Sequence, residues 1–287
     1  MIDLDTRVET AEKLSSRELD VIFDYASDQV LNVSTEDDYF NSVELISARR
    51  PDLPSNEIQA YVLANYAHRY LEVNPMSDTR AAALVLFCSL PNFIIQAAKL
   101  NEARSKGDED PIALKSVSQF NGCIRDFAAQ HPELSTGQLS DRLEEGLEKS
   151  TIHYTQPSSP GERPIDPVSE LRKRIRGARS EIGFEQWLDS AGISFKRGNT
   201  DDDIRLYVDY KVHYGDKIIN IDIKKSSYSP KLKDALYNID YTGKVTLVCP
   251  VQAQDFVRDT FELSKESKAK APDHAETLLS LIAKDLR

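Results

Sequence analysis

The sequence predicts an α+β protein, with an all-α first half and a second half in which helices flank a mixed central sheet. Three observations lead there. Apolar residues recur at helical spacing up to about residue 150. Pro157, Pro160, Pro164 and Pro167 then crowd one short segment, and beyond it the pattern changes to the alternation of strands. At 287 residues, 40% hydrophobic and 29% charged, the chain has material for two ordinary domains and is too apolar for disorder.

In the first half, Leu19, Ile22, Phe23 and Ala26, and later Ile58, Tyr61, Val62 and Tyr66, fall on helical faces. Ser15-x-x-Glu18 and Ser135-x-x-Gln138 have the form of capping boxes, and Pro51, Pro54, Pro91, Pro111 and Pro132 punctuate the segments. We expect a bundle of five to seven helices over residues 1–150. The run Ala81 to Leu90 is about half of the ~20 apolar residues a bilayer span needs, and Pro91-Asn92 interrupts it, so it reads as the central buried helix. Leu134 to Ile152 could close a helix-turn-helix, but its second helix is acidic and suits packing or dimerisation better than phosphate. Residues 151–167 read as a linker, since four prolines exclude both helix and central strand.

The second domain, 168–287, opens with a helix capped by Ser169 that runs through Leu171, Ile175, Ala178, Ile182 and Leu188 to Ala191-Gly192. Strands follow at Ile193 to Lys196, Ile204 to Tyr214 and Lys217 to Ser226. A helix from Pro230 to Ile239, a buried strand Lys244 to Cys249 and a helix from Gln252 to Leu263 complete the reading.

Charge separates the halves: residues 1–150 carry 26 acidic against 14 basic side chains, and 151–287 carry 21 against 22. A net charge of −11 argues against indiscriminate coating of nucleic acid. Cys88, Cys123 and Cys249 are odd in number and widely spaced with no CxxC pair, so neither a disulfide framework nor a thiolate zinc site is suggested, and a reducing cytoplasm fits best. The start, Met1-Ile2-Asp3-Leu4-Asp5, lacks the pattern of a signal peptide.

Tyr214-Gly215-Asp216-Lys217 is a type II′ hairpin signal, which pairs Tyr214 with Lys217, Val212 with Ile219 and Asp209 with Asp222. Like charges directly opposite on one sheet face are destabilising, so the two aspartates call for compensation. The two-residue period places Lys224 on their face and sends Ile219, Ile221 and Ile223 to the core. Two carboxylates with open coordination positions suit Mg²⁺, which keeps several waters and accepts phosphate oxygens. Glu181, among the sheet-facing residues of the preceding helix, can project to the same edge. Glu185 and Asp201-Asp202-Asp203 are lower-ranked acidic alternatives.

Glu181, Asp209 and Ile221-Asp222-Ile223-Lys224 resemble the PD-(D/E)xK pattern of type II restriction endonucleases and archaeal Holliday-junction resolvases. Gly177 four residues before the glutamate, Gly192 eleven after it, and thirteen residues between the aspartates are similar to the family's spacing. The resemblance covers about Ser169 to Leu263. Val208 stands where the family often has proline, and Asp222 where glutamate is commoner, which shortens that ligand's reach.

The resemblance implies a restriction-endonuclease-like α/β domain and Mg²⁺-dependent DNA cleavage, with Mn²⁺ able to substitute. Asp209, Asp222 and the Ile223 carbonyl would hold the ion, Glu181 would orient a metal-bound water or a second ion, and Lys224 would lower the water's pKa and stabilise charge in the transition state. Arg172, Lys173, Arg174, Arg176 and Arg179, with Lys196, Arg197, Lys225, Lys231 and Lys233, would form a phosphate track for double-stranded DNA. His213 reads as a surface or nucleic-acid contact. Junction resolvase, RNA nuclease and a non-catalytic nucleic-acid-binding protein are the competing functions. No membrane role is expected. A homodimer or higher homo-oligomer is, with Ala81 to Leu90 or Phe93-Ile94-Ile95 as candidate interface.

Overall fold

The computed structural model describes residues 14–150, 166–198, 208–224 and 236–286. The expected Pro-rich linker, apart from Asp166 and Pro167, lies outside them, as do Asp201 to Asp203, Lys225, Lys231 and Lys233. The architecture is α+β, with an N-terminal helical region and a five-stranded mixed sheet.

Among the described residues, the first half holds six helices: α1 Ser16–Ser34, α2 Asp37–Arg49, α3 Ser55–Val73, α4 Asp78–Ser105, α5 Pro111–Gln130 and α6 Thr136–Lys149. Both expected helix starts are present. Ser15 and Glu18 exchange hydrogen bonds in a full capping box. Ser135 accepts from the Gly137 and Gln138 amides, but the Gln138 side chain crosses to Ser16 O and Asp20 instead of reaching back. One correction concerns Pro91, which lies inside the continuous α4. Every residue from Leu90 to Ala98 is buried, so packing on all sides outweighs the missing backbone donor.

α4 is long and apolar enough to cross a membrane by composition, but 78% of its apolar window is buried inside the protein. Phe87, Leu90, Phe93 and Ile94 belong to one core with Phe23, Phe120 and Phe127, and Leu84, Cys88 and Ile95 to a second with α3. Neither Ala81 to Leu90 nor Phe93-Ile94-Ile95 therefore supplies a free interface, which corrects that expectation. Two acids of α6 are paired within the chain, Glu145 with Arg142 and Glu144 with Arg172, and Arg142 also reaches Asp20 and Asp24 of α1, whereas Asp141 and Glu148 are exposed.

α7, Pro167–Ser190, starts one turn earlier than expected: Asp166, not Ser169, caps it, and Pro167 occupies its first position. Gly192, at φ +69°, follows its end. Strands β1 Phe195–Arg197, β2 Tyr210–Tyr214, β3 Lys217–Lys224, β4 Tyr237–Ile239 and β5 Val245–Val248 form the sheet in the order β1-β2-β3-β5-β4. β3 and β5 run parallel, and the other pairs antiparallel. The hairpin has the expected register, Tyr214 on Lys217 and Val212 on Ile219, with Gly215 at φ +60° in its turn.

Two expected helices are corrected. Tyr237–Ile239 is a strand, since β5 offers it an edge, and residues 225–235 are not described. Gln252 to Leu263 holds a short 3-10 turn, Ala253–Asp255, and then loops, because α7 takes its backbone groups: Arg179 donates to the Arg258 and Thr260 carbonyls, and Gln186 bonds Phe261 O and Leu263 N. A final helix, α8 Lys265–Asp285, covers a stretch the sequence reading left unassigned, and buries Ala271, Ala275, Leu279 and Ile282 against the sheet core.

α7 belongs to both halves. Leu171, Ile175, Ala178 and Ile182 complete the helical core, while Phe184, Trp187 and Leu188 enter the sheet core. The boundary between the cores thus falls within α7 and not in the Pro-rich segment. Burying four such side chains is worth roughly 5 kcal/mol or more. A fragment ending at residue 150 is therefore expected to melt at least about ten degrees below the full chain. Equal midpoints in a calorimetric scan would contradict the shared core.

Candidate active site

At the open end of the hairpin, Asp209 follows the buried Val208 and precedes the first residue of β2. Its amide donates to Ile221 O, its carbonyl accepts from Gly198 N, and its Oδ2 accepts the Ile223 N–H at 2.7 Å. The side chain is thereby locked against β3. Gly198 allows this: a Cβ there would stand 2.0 Å from Val208 O, so only glycine fits so close to the strand. Asp222, on β3, is 5% exposed, and its Oδ1 pairs with Lys224 Nζ at 2.6 Å. Lys224 keeps its side chain 44% exposed.

Glu181 arrives from α7, two turns beyond Arg174. Its Oε2 is held at 3.0 Å by Arg125 Nη1, contributed by α5 of the helical half. Charge couples the three acids. Burial pushes the Asp209 carboxyl well above the ordinary range, the charges of Glu181 and Asp222 push it further, and the Ile223 N–H and Lys224 only partly offset them. At Asp209 itself, the like charges of Glu181 and Asp222 outweigh Lys224.

Glu185, the alternative helix acid, is buried with another task. Arg197 grips both its oxygens at 2.7 and 2.5 Å, and Tyr210 donates to it at 2.9 Å. Arg197 also reaches Asp126. Of the residues expected to track phosphate, Arg197 is therefore turned inward, as is Arg179, which bonds two carbonyls and covers the Phe256 ring at 4.2 Å. Arg172 pairs with Glu144 yet stays half exposed. Arg176 and Lys196 are exposed, and Lys225 and Lys231 lie outside the described residues. His213 is exposed on β2.

A cleft of about 660 Å³ runs between α3, α4 and α5 on one side and α7 and the sheet end on the other. Glu181, Asp209 and Lys224 line it, as do Arg125 and Arg174. Sequence reasoning missed Arg125, because its partner Glu181 is 56 residues away and no local pattern marks the pair.

Among the described residues, no group of three or more His, Cys, Asp or Glu side chains forms a ready-made metal cage. The donors at hand are carboxylate and carbonyl oxygens. Comparison with family models, curated proteins and solved structures finds no match to this chain.

Proposed function

We propose that this protein is a metal-dependent DNA endonuclease of the PD-(D/E)xK type, most simply a type II restriction endonuclease working in the cytoplasm. The observation that carries the reading is the meeting of Glu181, Asp209, Asp222 and Lys224 at one sheet end beside a cleft. Burial and two like neighbours raise Asp209, and a cation held between Asp209 and Asp222 would relieve both the repulsion and the lost solvation.

Asp209, Asp222 and the Ile223 carbonyl would hold the ion, and so few protein ligands, all oxygen, suit Mg²⁺ with several waters kept, or Mn²⁺. When bound, the ion supplies charge stabilisation at the phosphate and a more acidic water. Glu181, oriented by Arg125, would position that water and accept its proton. Lys224, accessible from the cleft, would donate to a non-bridging phosphate oxygen where negative charge builds. Ile223 N–H keeps Asp209 in place throughout.

Double-stranded DNA is the proposed substrate, cut by a homodimer that places one site on each strand. Supercoiled plasmid incubated with the protein and Mg²⁺ should yield linear product with discrete ends, and chelation should stop it. Intact plasmid, with and without Mn²⁺, would overturn the reading.

A further inference from the structure

Five buried side-chain polar atoms lack a hydrogen-bond partner among the described residues, and four belong to residues lining the one cleft: Asn92 Oδ1, Asn121 Oδ1, Arg125 Nε and Arg174 Nε. Asn92 is 7% exposed and sits on α4 after Pro91, in a helix whose other buried side chains, Gln96 apart, are apolar. Buried polar groups are normally paired, since desolvation without compensation is unfavourable, so four unpaired ones in residues around one cavity point to a ligand that would pair them as their side chains turn towards it. The fifth, Glu133 Oε1, is not on this wall.

The two kinds of atom restrict the ligand. Carboxamide oxygens need N–H or O–H donors, and guanidinium Nε–H groups need acceptors. Inorganic phosphate meets the second demand, but meets the first only with the one or two O–H groups of its protonated forms, on the same small ion the guanidinium groups would hold. An apolar ligand meets neither. A nucleotide meets both, through its phosphate oxygens and the amino and imino groups on its base edge. Burial disfavours the charge of Arg174, Arg104 on the same cleft adds to this, and Glu170 and Glu181 favour it; an anion in the cleft would favour it further. The volume suits one nucleotide and is too small for a duplex.

We propose that the cleft between α4, α5 and α7 is a substrate subsite contributed by the helical half. It takes one unpaired nucleotide of the strand being cut, with the phosphate on Arg125 and Arg174 and the base edge on Asn92 and Asn121. The placement beside Glu181 and Asp209 rests on the nuclease reading, whereas the pocket itself does not. The helical half then holds substrate at the reacting end, beyond self-association or target engagement alone. An unpaired nucleotide can come from a single strand or be extruded from a duplex, and both present the same chemistry.

The test is binding of the full chain, in chelator so that nothing is cut, to a dye-labelled single-stranded DNA and to its blunt duplex. Asn121→Leu and Arg174→Gln are each expected to weaken single-strand binding at least tenfold. Arg174→Gln should also reduce the salt dependence of binding, and Asn121→Leu should leave that slope alone. Asn121→Leu removes an unpaired acceptor, so its thermal midpoint should not fall, which separates lost binding from lost fold. A parallel loss on the duplex identifies extrusion, and a loss on the single strand alone identifies strands already unpaired. Binding by both variants equal to wild type, or no binding by wild type, overturns the subsite. Lost binding in the variants with no cleavage by wild type in Mg²⁺ would instead overturn the nuclease reading and leave the subsite standing.

Discussion

Replacing Asp222 by alanine is expected to lower Mg²⁺-dependent DNA cleavage on the order of a thousandfold or more, because several kcal/mol of charge stabilisation depend on the ion it helps hold. The fold should survive. Lys224, the ion-pair partner of Asp222, is 44% exposed and returns to water when the acid is removed. The apolar residues that flank Asp222 on β3, Ile221 and Ile223, stay in the sheet core. Cleavage of plasmid by the purified variant is the readout, with DNA binding and circular dichroism as controls. Near-wild-type cleavage in a nuclease-free preparation would remove Asp222 from the site, whatever the other carboxylates do.

Asp209→Asn should have two opposite effects: cleavage is lost and stability at neutral pH rises. The amide keeps an oxygen for the Ile223 N–H and removes the charge that Glu181 and Asp222 repel. The sign follows from linkage. A carboxyl whose folded pKa is raised favours folding below its unfolded value, about 4, and loses that contribution as pH climbs through the folded value. Wild type therefore carries the penalty at pH 7 to 8, and the variant should be the more stable of the two there, with the gain vanishing near pH 4. Thermal midpoints at the two pH values decide. A variant less stable than wild type at pH 8 would mean that Asp209 is not held among like charges. Mg²⁺ should raise the wild-type midpoint and not that of the variant.

The strand period and the glycine of the turn are enough to write down the hairpin register, and hence the approach of Asp209 to Asp222. These are local rules, and local rules hold where a two-residue turn sets the pairing. Pro91 shows where they stop, since its cost was outweighed by burial on every side that no window of sequence displays. The same limit hid the loop at residues 256–263, whose carbonyls are satisfied from α7, and the conversion of Tyr237–Ile239 to a strand by the free edge of β5. α8 was missed although Ala271, Ala275, Leu279 and Ile282 recur at helical spacing, for Pro272 stands among them. In the candidate site, side chains on contiguous elements were legible. Arg125, Asn92 and Asn121 were not, because they come from helices that only tertiary packing brings to the sheet. Conversely, basic residues clustered along the chain at Arg179 and Arg197 face inward, where carbonyls and Glu185 claim them.

The double allegiance of α7 bears on how such a chain can be rebuilt. Accessory domains are commonly interchangeable when a linker separates them from a catalytic unit, and the prolines of 151–167 invite a crossover at that point. Here a junction in that segment would strand Leu171, Ile175, Ala178 and Ile182, which need a bundle shaped to receive them, and would leave Glu181 without the guanidinium from α5. The helical half is consequently not a cassette. A chimera that keeps the carboxylate set in order has to inherit α4 and α5 together with α7, so recombination would conserve the two halves as a single heritable block.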